Sequence, residues 1–554
     1  MGAAGGGWSN EAIKRVPPPA RRLYIWLASI WASYCGGLHG FNTANISGTM
    51  TLTPFKRDFG WTFLSSTTIS NYSGWVVASM LLGQTLGVMV SGPLGERRGR
   101  KSVILTSAIF YTIGAILMAA NFGSLGELIA GRVLAGIGSG LGMTVGTIYI
   151  SEIAPTEMRG MMTTFYNINI MAGVAGSYWI NYGSLEVIPS TSSWQWRTTL
   201  VLQLIPAIAL FIGWPFFPES PRYLIMRGKE QAARQSLVKL RGLDEGNEYF
   251  AREFDEMKGK VNANIESVSG WVATKNLLGS CLTDPPTRKL LLFVMIVQTF
   301  FIMSGGNSIT YYAPTILKSI GLNSTQILLF TAIYGMIKVV SVFLYAFVLT
   351  ERFGRRPLLI AGSAINTICL LYIAVYLGVS DLSDSSASPS PAAWVAIVAI
   401  CLFAVGYGFG WAPAFSLAAA EICPTSTRGT VVTIAFIYQN LLNFGITRGF
   451  PNMTESMHAF GPFALFTAFT GLATAWVVLA FPECKGRSME SAATLFSLPW
   501  YKIGFAKVDE RKAQESAEAV VDLEKTMSSH HDECTTRPRA LSGASNRPRK
   551  WDYM

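Results

Sequence analysis

The chain has 554 residues, half of them hydrophobic and only 14% charged, with a mean hydropathy of +0.35. A soluble domain carries roughly a quarter charged residues, so this composition argues against a soluble enzyme or binding module and for a protein embedded in lipid. The net charge of +11 invites a nucleic-acid partner, but the basic residues collect at the N-terminus, at Arg97–Lys101, in the 218–289 segment, at Arg352–Arg356 and in the C-terminal tail. That is a topological distribution and not a DNA footprint.

Apolar stretches recur near 23–47, 70–92, 102–120, 125–150, 160–183 and 198–217, then near 290–316, 325–349, 357–377, 392–419, 430–450 and 461–481. At about 1.5 Å per residue each can cross a hydrocarbon core of about 30 Å, which predicts an all-α protein with twelve membrane helices. Basic residues precede the first stretch, which is too long for a signal-peptide core, so it is expected to stay as the first span. The even number of spans and the basic bias place both termini and the central segment in the cytoplasm, with the plasma membrane as the expected location. The organisation read from the chain is a short N-terminus (1–22), a six-helix bundle (23–217) and a charged helical linker (218–289). A second six-helix bundle (290–481) and a tail (482–554) follow, the tail expected to be largely disordered.

Seven cysteines, Cys35, Cys281, Cys369, Cys401, Cys423, Cys484 and Cys534, fall outside the expected external loops, so no disulfide framework is implied, and their spacing matches no zinc site. No metal and no cofactor is expected. Asn71, Asn323 and Asn452 head Asn-x-Ser/Thr triplets near the expected outer face and are glycosylation candidates. Asn45 heads another such triplet but lies inside the first span.

The chain repeats itself at long range. Leu94-Gly95-Glu96-Arg97-Arg98-Gly99-Arg100-Lys101 returns as Leu349-Thr350-Glu351-Arg352-Phe353-Gly354-Arg355-Arg356, and Glu152-Ile153-Ala154-Pro155 returns as Glu421-Ile422-Cys423-Pro424, each followed by an Arg-Gly pair, Arg159-Gly160 and Arg428-Gly429. Pro218-Glu219-Ser220-Pro221-Arg222 has a looser echo in Pro482-Glu483-Cys484. Parallel six-helix halves with a site between them are a transporter architecture. On these loop motifs, with Gly131-Arg132, the chain resembles the sugar porter family of the major facilitator superfamily, in its eukaryotic sugar/quinate-type branch, over roughly residues 23–495. That resemblance implies the major facilitator fold with a cytoplasmic helical linker. It also implies gating by Glu96, Arg97, Arg100, Glu152, Arg159, Glu351, Arg352, Arg355, Glu421 and Arg428, which would pair across the halves and part when the site opens inward.

Polar residues inside spans are expensive and usually face a cavity. Here they include Asn42 and His39 on span 1, Arg132 on span 4, Asn167 on span 5, Gln298, Asn307 and Thr310 on span 7, and Gln439, Asn440 and Asn443 on span 11. Such amides and hydroxyls suit a ligand with many hydroxyl groups, and Tyr311, Tyr312, Trp411 and Phe415 could cover the apolar faces of a ring. By the resemblance, the substrate site falls on Asn42, Asn167, Phe301, Ile302, Asn307, Ser416, Gln439 and Asn443. Where sugar porters carry Gln-Gln-x-Ser-Gly-x-Asn-Ala, this chain reads Phe301-Ile302-Met303-Ser304-Gly305-Gly306-Asn307-Ser308. Both glutamines are gone, and a site lacking hydrogen-bond partners discriminates against a hydroxyl-rich ligand. Ordinary glucose transport is therefore not expected.

Asn42 stands where proton-linked members carry an aspartate opposite the span 4 arginine, here Arg132. An amide cannot titrate, so that proton route is expected to be absent, with His39 as the other coupling candidate. Three readings result. The first is a facilitative carrier of a sugar, polyol or sugar-acid-type solute; the second is an exporter of a secondary metabolite on the same scaffold; the third is a nutrient sensor. An enzyme is not expected, because no nucleophile, base and oxyanion site come together. The partners are a small-molecule substrate and the lipid bilayer; oligomeric state is open.

Overall fold

Helix is the secondary structure that the computed structural model builds, over residues 16–155, 157–265, 279, 285–380, 390–413, 428–483 and 499–504, with no strand among these described residues. The first six spans are α1 (Leu23–Thr49), α3 (Ser66–Arg98), α4 (Arg100–Ala119), α5 (Leu125–Ile153), α6 (Arg159–Val187) and the pair α7 (Trp194–Leu202) and α8 (Ile205–Gly213). A short α2 (Thr53–Asp58) lies between the first two of them. Three helices follow that are not spans, α9 (Pro221–Met226), α10 (Glu230–Arg241) and α11 (Glu248–Ile265). The second set is the pair α12 (Pro285–Met303) and α13 (Gly306–Ser319), then α14 (Ser324–Leu344), α15 (Arg355–Val379), α16 (Pro391–Phe409), α17 (Arg428–Ser456) and α18 (Gly461–Ala480).

Ten of these twelve helical segments are long and apolar enough to cross a membrane. The other two, α1 and α6, have 27 and 29 residues, ample for a core of about 30 Å, but are more polar. Their asparagines Asn42, Asn45 and Asn181 are nevertheless buried in protein, which is where lipid-spanning helices hide polar groups.

Close packing is bought with small residues. Gly83 of α3 lies against the Val133 carbonyl and Gly136 of α5 against the Met80 carbonyl, so a Cβ at either would strike backbone. Without a hydrophobic drive between helices in lipid, such backbone approach supplies the attraction.

The repeated loop motifs have a shared physical role. Gly99 (φ 94°) and Gly354 (φ 83°) break the chain between consecutive spans in a conformation that side chains rarely adopt. The next helix begins at once, and its first amides need acceptors. Glu219 accepts from the backbone N–H of Arg100 and Lys101, and Glu483 accepts from that of Arg355 and Arg356, each at 3.1 Å. The looser echo at Pro218 and Pro482 is thus a pair of equivalent carboxylate caps at helix N-termini.

Helices α10 and α11 are amphipathic and dock beside the first six. Arg241 is fully buried; it forks onto Glu253 at 2.8 and 2.6 Å and donates to the Ile153 carbonyl at 2.7 Å. Ser236 donates to the Glu219 carbonyl at 2.6 Å, Arg22 to the Lys239 carbonyl, and Tyr249 to Glu157 at 3.2 Å.

Candidate functional site

Among the described residues, two buried cations lie inside the spans away from the first residue of a helix. Arg132 of α5 is 1% exposed and donates to the Val76 and Val77 carbonyls at 3.0 and 3.1 Å. It also donates to the Asn42 main-chain and side-chain oxygens at 2.7 and 3.0 Å. Every acceptor is neutral. The Asn42 amide nitrogen, fully buried, has no partner among the described residues. His39, half-buried on α1, lies 2.6 Å from the Gln84 amide nitrogen through Nδ1.

The seventh span is broken three residues after Ile302, at the glycine that this chain keeps from the motif. Gly305 takes φ 77° between α12 and α13. A Cβ there would meet the Phe466 ring at 2.7 Å, and one on Gly306 would enter the Tyr407 ring. The break therefore requires both glycines and sets Asn307 in the first turn of the half-helix α13, a placement typical of binding sites at discontinuous helices. Asn307 is half-buried and its Oδ1 accepts from the Tyr407 hydroxyl at 3.2 Å. Phe301 and Ile302 are buried, and Phe301 stacks on Tyr407 with ring centroids 6.0 Å apart.

From α17, Asn443 donates to the Tyr311 hydroxyl at 3.2 Å and accepts from Thr447 at 3.2 Å. Gln439 is buried, with its Oε1 unpartnered among the described residues. Asn167 on α6 is half-buried. The candidates therefore sit on α1, α6, α12, α13 and α17, and the structure joins Asn42 to Arg132 directly. Phe415, Ser416 and Glu421 lie outside the described residues, as do the side chains of Glu351 and Arg428.

The second cation is Lys338 of α14, which the motif reading passes over. It is 2% exposed and donates to Thr310 Oγ1 at 2.7 Å. Its ammonium lies 5.4 and 4.9 Å from the centres of the Tyr334 and Tyr407 rings, a cation–π cage. Its signal in the sequence is plain: Lys338 is the single charged residue between Ser324 and Leu349.

Contacts between the first six and last six helices gather at the end opposite Arg97–Lys101. Thr67 donates to Glu455 at 2.7 Å, and Arg448 and Asn452 both donate to Asn71 Oδ1 at 3.1 Å. Arg448 lies over Trp75, which also meets Phe444. Deeper, the Tyr178 hydroxyl donates to the Thr310 carbonyl. Two glycosylation candidates, Asn71 and Asn452, thus bond to each other across the seam, while Asn323 is exposed and caps α14 by accepting from Gln326 N–H at 2.9 Å.

At the opposite end, the expected gating residues Arg100 and Glu152 form a bidentate pair, both bonds 3.1 Å, with Ser220 donating to the same carboxylate at 2.5 Å. This pairing runs within the first six helices and not between the sets. Arg355, the counterpart of Arg100, is equally buried; Glu96 is half-buried, and Arg97, Arg159 and Arg352 are exposed.

The family model described as "Sugar (and other) transporter" matches residues 28–496. A probable quinate permease of Aspergillus fumigatus is 31% identical over 494 residues, covering 86% of this chain and 89% of that protein. Sugar transport protein 7 of Arabidopsis thaliana is 29% identical over 488 residues, covering 86% and 91%. Among solved structures, the major facilitator superfamily proton:xylose symporter XylE superposes with a TM-score of 0.69 at 25% identity, covering 85% of this chain and 99% of that one. With the family model spanning most of its length and this fold beneath it, the chain belongs to the sugar (and other) transporter family and is a multi-pass membrane transporter of the major facilitator fold.

Proposed function

We propose that the protein carries a small polyhydroxylated solute, of the sugar, polyol or sugar-acid type, by alternating access and down the solute's own gradient. The observation that carries the transport mode is the Asn42–Arg132 contact. The buried guanidinium is satisfied by neutral oxygens alone, so this pair has no proton to take up or release. The solute class is supported by the amides and phenols of α13, α16 and α17, and by relatives named for quinate and sugar transport.

Positive-inside bias assigns the Arg97–Lys101 and Arg352–Arg356 loops, the linker and both termini to the cytoplasm, and the plasma membrane is the location we propose. The Asn71–Arg448 seam is then external, and the state is one closed to the outside. Residues 23–217 and 290–481 are the two moving halves, joined by 218–289 and followed by a cytoplasmic tail from 482. Glu152–Arg100 and their counterparts hold the inner ends of the helices, where gating would act. Labelled quinate and xylose uptake into proteoliposomes tests this reading. Uptake should equilibrate without accumulation, be indifferent to a protonophore, and fall at least tenfold in Asn307→Ala. Accumulation that collapses under the protonophore would overturn the facilitative mode.

A further inference from the structure

Among the described residues, Lys338 is a charge without a counter-charge. Burying an ammonium costs several kcal/mol unless an anion or a full set of acceptors repays it. Its one hydrogen-bond acceptor among the described residues is Thr310 Oγ1, which itself donates to the Gly306 carbonyl at 2.7 Å. An ammonium carries three N–H donors, so two are left. The ion pairs among the described residues do not include it. Nor do the apolar stretches hold an aspartate or glutamate, apart from Glu127 at the start of the fourth. The N-terminal end of α13 begins at Gly306, beside this cluster, and its partial positive charge adds to that of the lysine.

Arg132 differs, because four carbonyl contacts occupy its guanidinium. The lysine is also not remote from the candidate site. Tyr407, whose ring faces its ammonium, is the same residue that donates to Asn307 and stacks on Phe301. An intramembrane ionisable residue in such a place marks a ligand pathway.

We propose that Lys338 anchors the carboxylate of a polyhydroxy acid and makes the carrier select anionic solutes over neutral sugars. The assignment rests on the transport reading above and specifies the charge of its substrate. The carboxylate would take the two remaining N–H donors, while Asn307 and the neighbouring phenols would meet the solute's hydroxyl groups.

The test uses the purified full-length protein in proteoliposomes, with quinate as the anionic probe and inositol as its uncharged counterpart. Wild type should prefer quinate. Lys338→Met should raise the apparent KM for quinate by about 10- to 100-fold, the loss of one charged hydrogen-bonded contact, and Lys338→Arg should retain most of the preference. An unchanged quinate KM in Lys338→Met, or a wild type that moves inositol but not quinate, overturns the anchor and leaves the transport reading standing. A wild type that moves neither of these probes nor xylose overturns both. Should Lys338→Met fail to fold, thermal stabilisation of wild type by quinate and not by equal inositol supports the anchor, and equal stabilisation sinks it.

Discussion

At the scale of single residues, chemistry follows from which atoms can carry a proton. Asn42→Asp would place a carboxylate against Arg132, and we expect its uptake to gain a pH dependence beyond that of the wild type; measuring initial rate against pH for both checks this. Asp58 offers a stability counterpart outside the spans. Burial raises its pKa, but hydrogen bonds from Ser193, Trp196 and Arg57, with the charge of Arg57, outweigh burial and hold the carboxyl below its ordinary value. The Trp196 indole donates to it at 2.9 Å, fastening α2 to α7. A depressed folded pKa contributes stability above the unfolded value of about 4 and loses it as pH falls through the folded one. Asp58→Asn should therefore lower the Tm at pH 7, and the gap to the wild type should shrink as the pH is taken down through the depressed folded pKa. Asn42, Asn307 and Asn443 were legible as polar positions turned into protein because an amide in a span stands out. Lys338 is just as visible as a lone charge, but no motif points to it. Which arginine Glu152 chooses was not legible, since spacing does not say whether Arg97, Arg100 or Arg159 lies nearest.

At the scale of elements, hydropathy placed the spans well because lipid imposes one length on all of them. Spans 1 and 5 were readable although too polar by hydropathy alone, since their asparagines are spaced among small and apolar residues. The interruption at Gly305 was not foreseen. A glycine pair inside an apolar run is compatible with a straight helix, and the Tyr407 and Phe466 rings that take the space of a Cβ here arrive from other helices. The paired caps can be tested together. Glu219→Ala and Glu483→Ala each remove charged acceptors from two backbone amides, so each should cost about 2 kcal/mol of stability. Thermal unfolding in detergent should show two drops in Tm of similar size; a drop for one alone would break the equivalence of the two loops.

For the whole molecule, the proposed alternating access requires the bonds at Thr67–Glu455 and Asn71–Arg448 to open when the site faces the other way. Cysteines at positions 67 and 455, bridged by a short bifunctional reagent, should abolish uptake, and a cleavable bridge should restore it on reduction. The internal repeat made this two-part build readable, because loop motifs recur in order, whereas the end at which the parts meet depends on contacts between residues hundreds of positions apart. Arg241 and Tyr249 grip the first bundle through Ile153 and Glu157, so α10 and α11 are cargo of that bundle. A fluorophore on the exposed Gln231 would therefore travel with it, and energy transfer to a second dye on the other bundle would rise and fall with each turnover cycle.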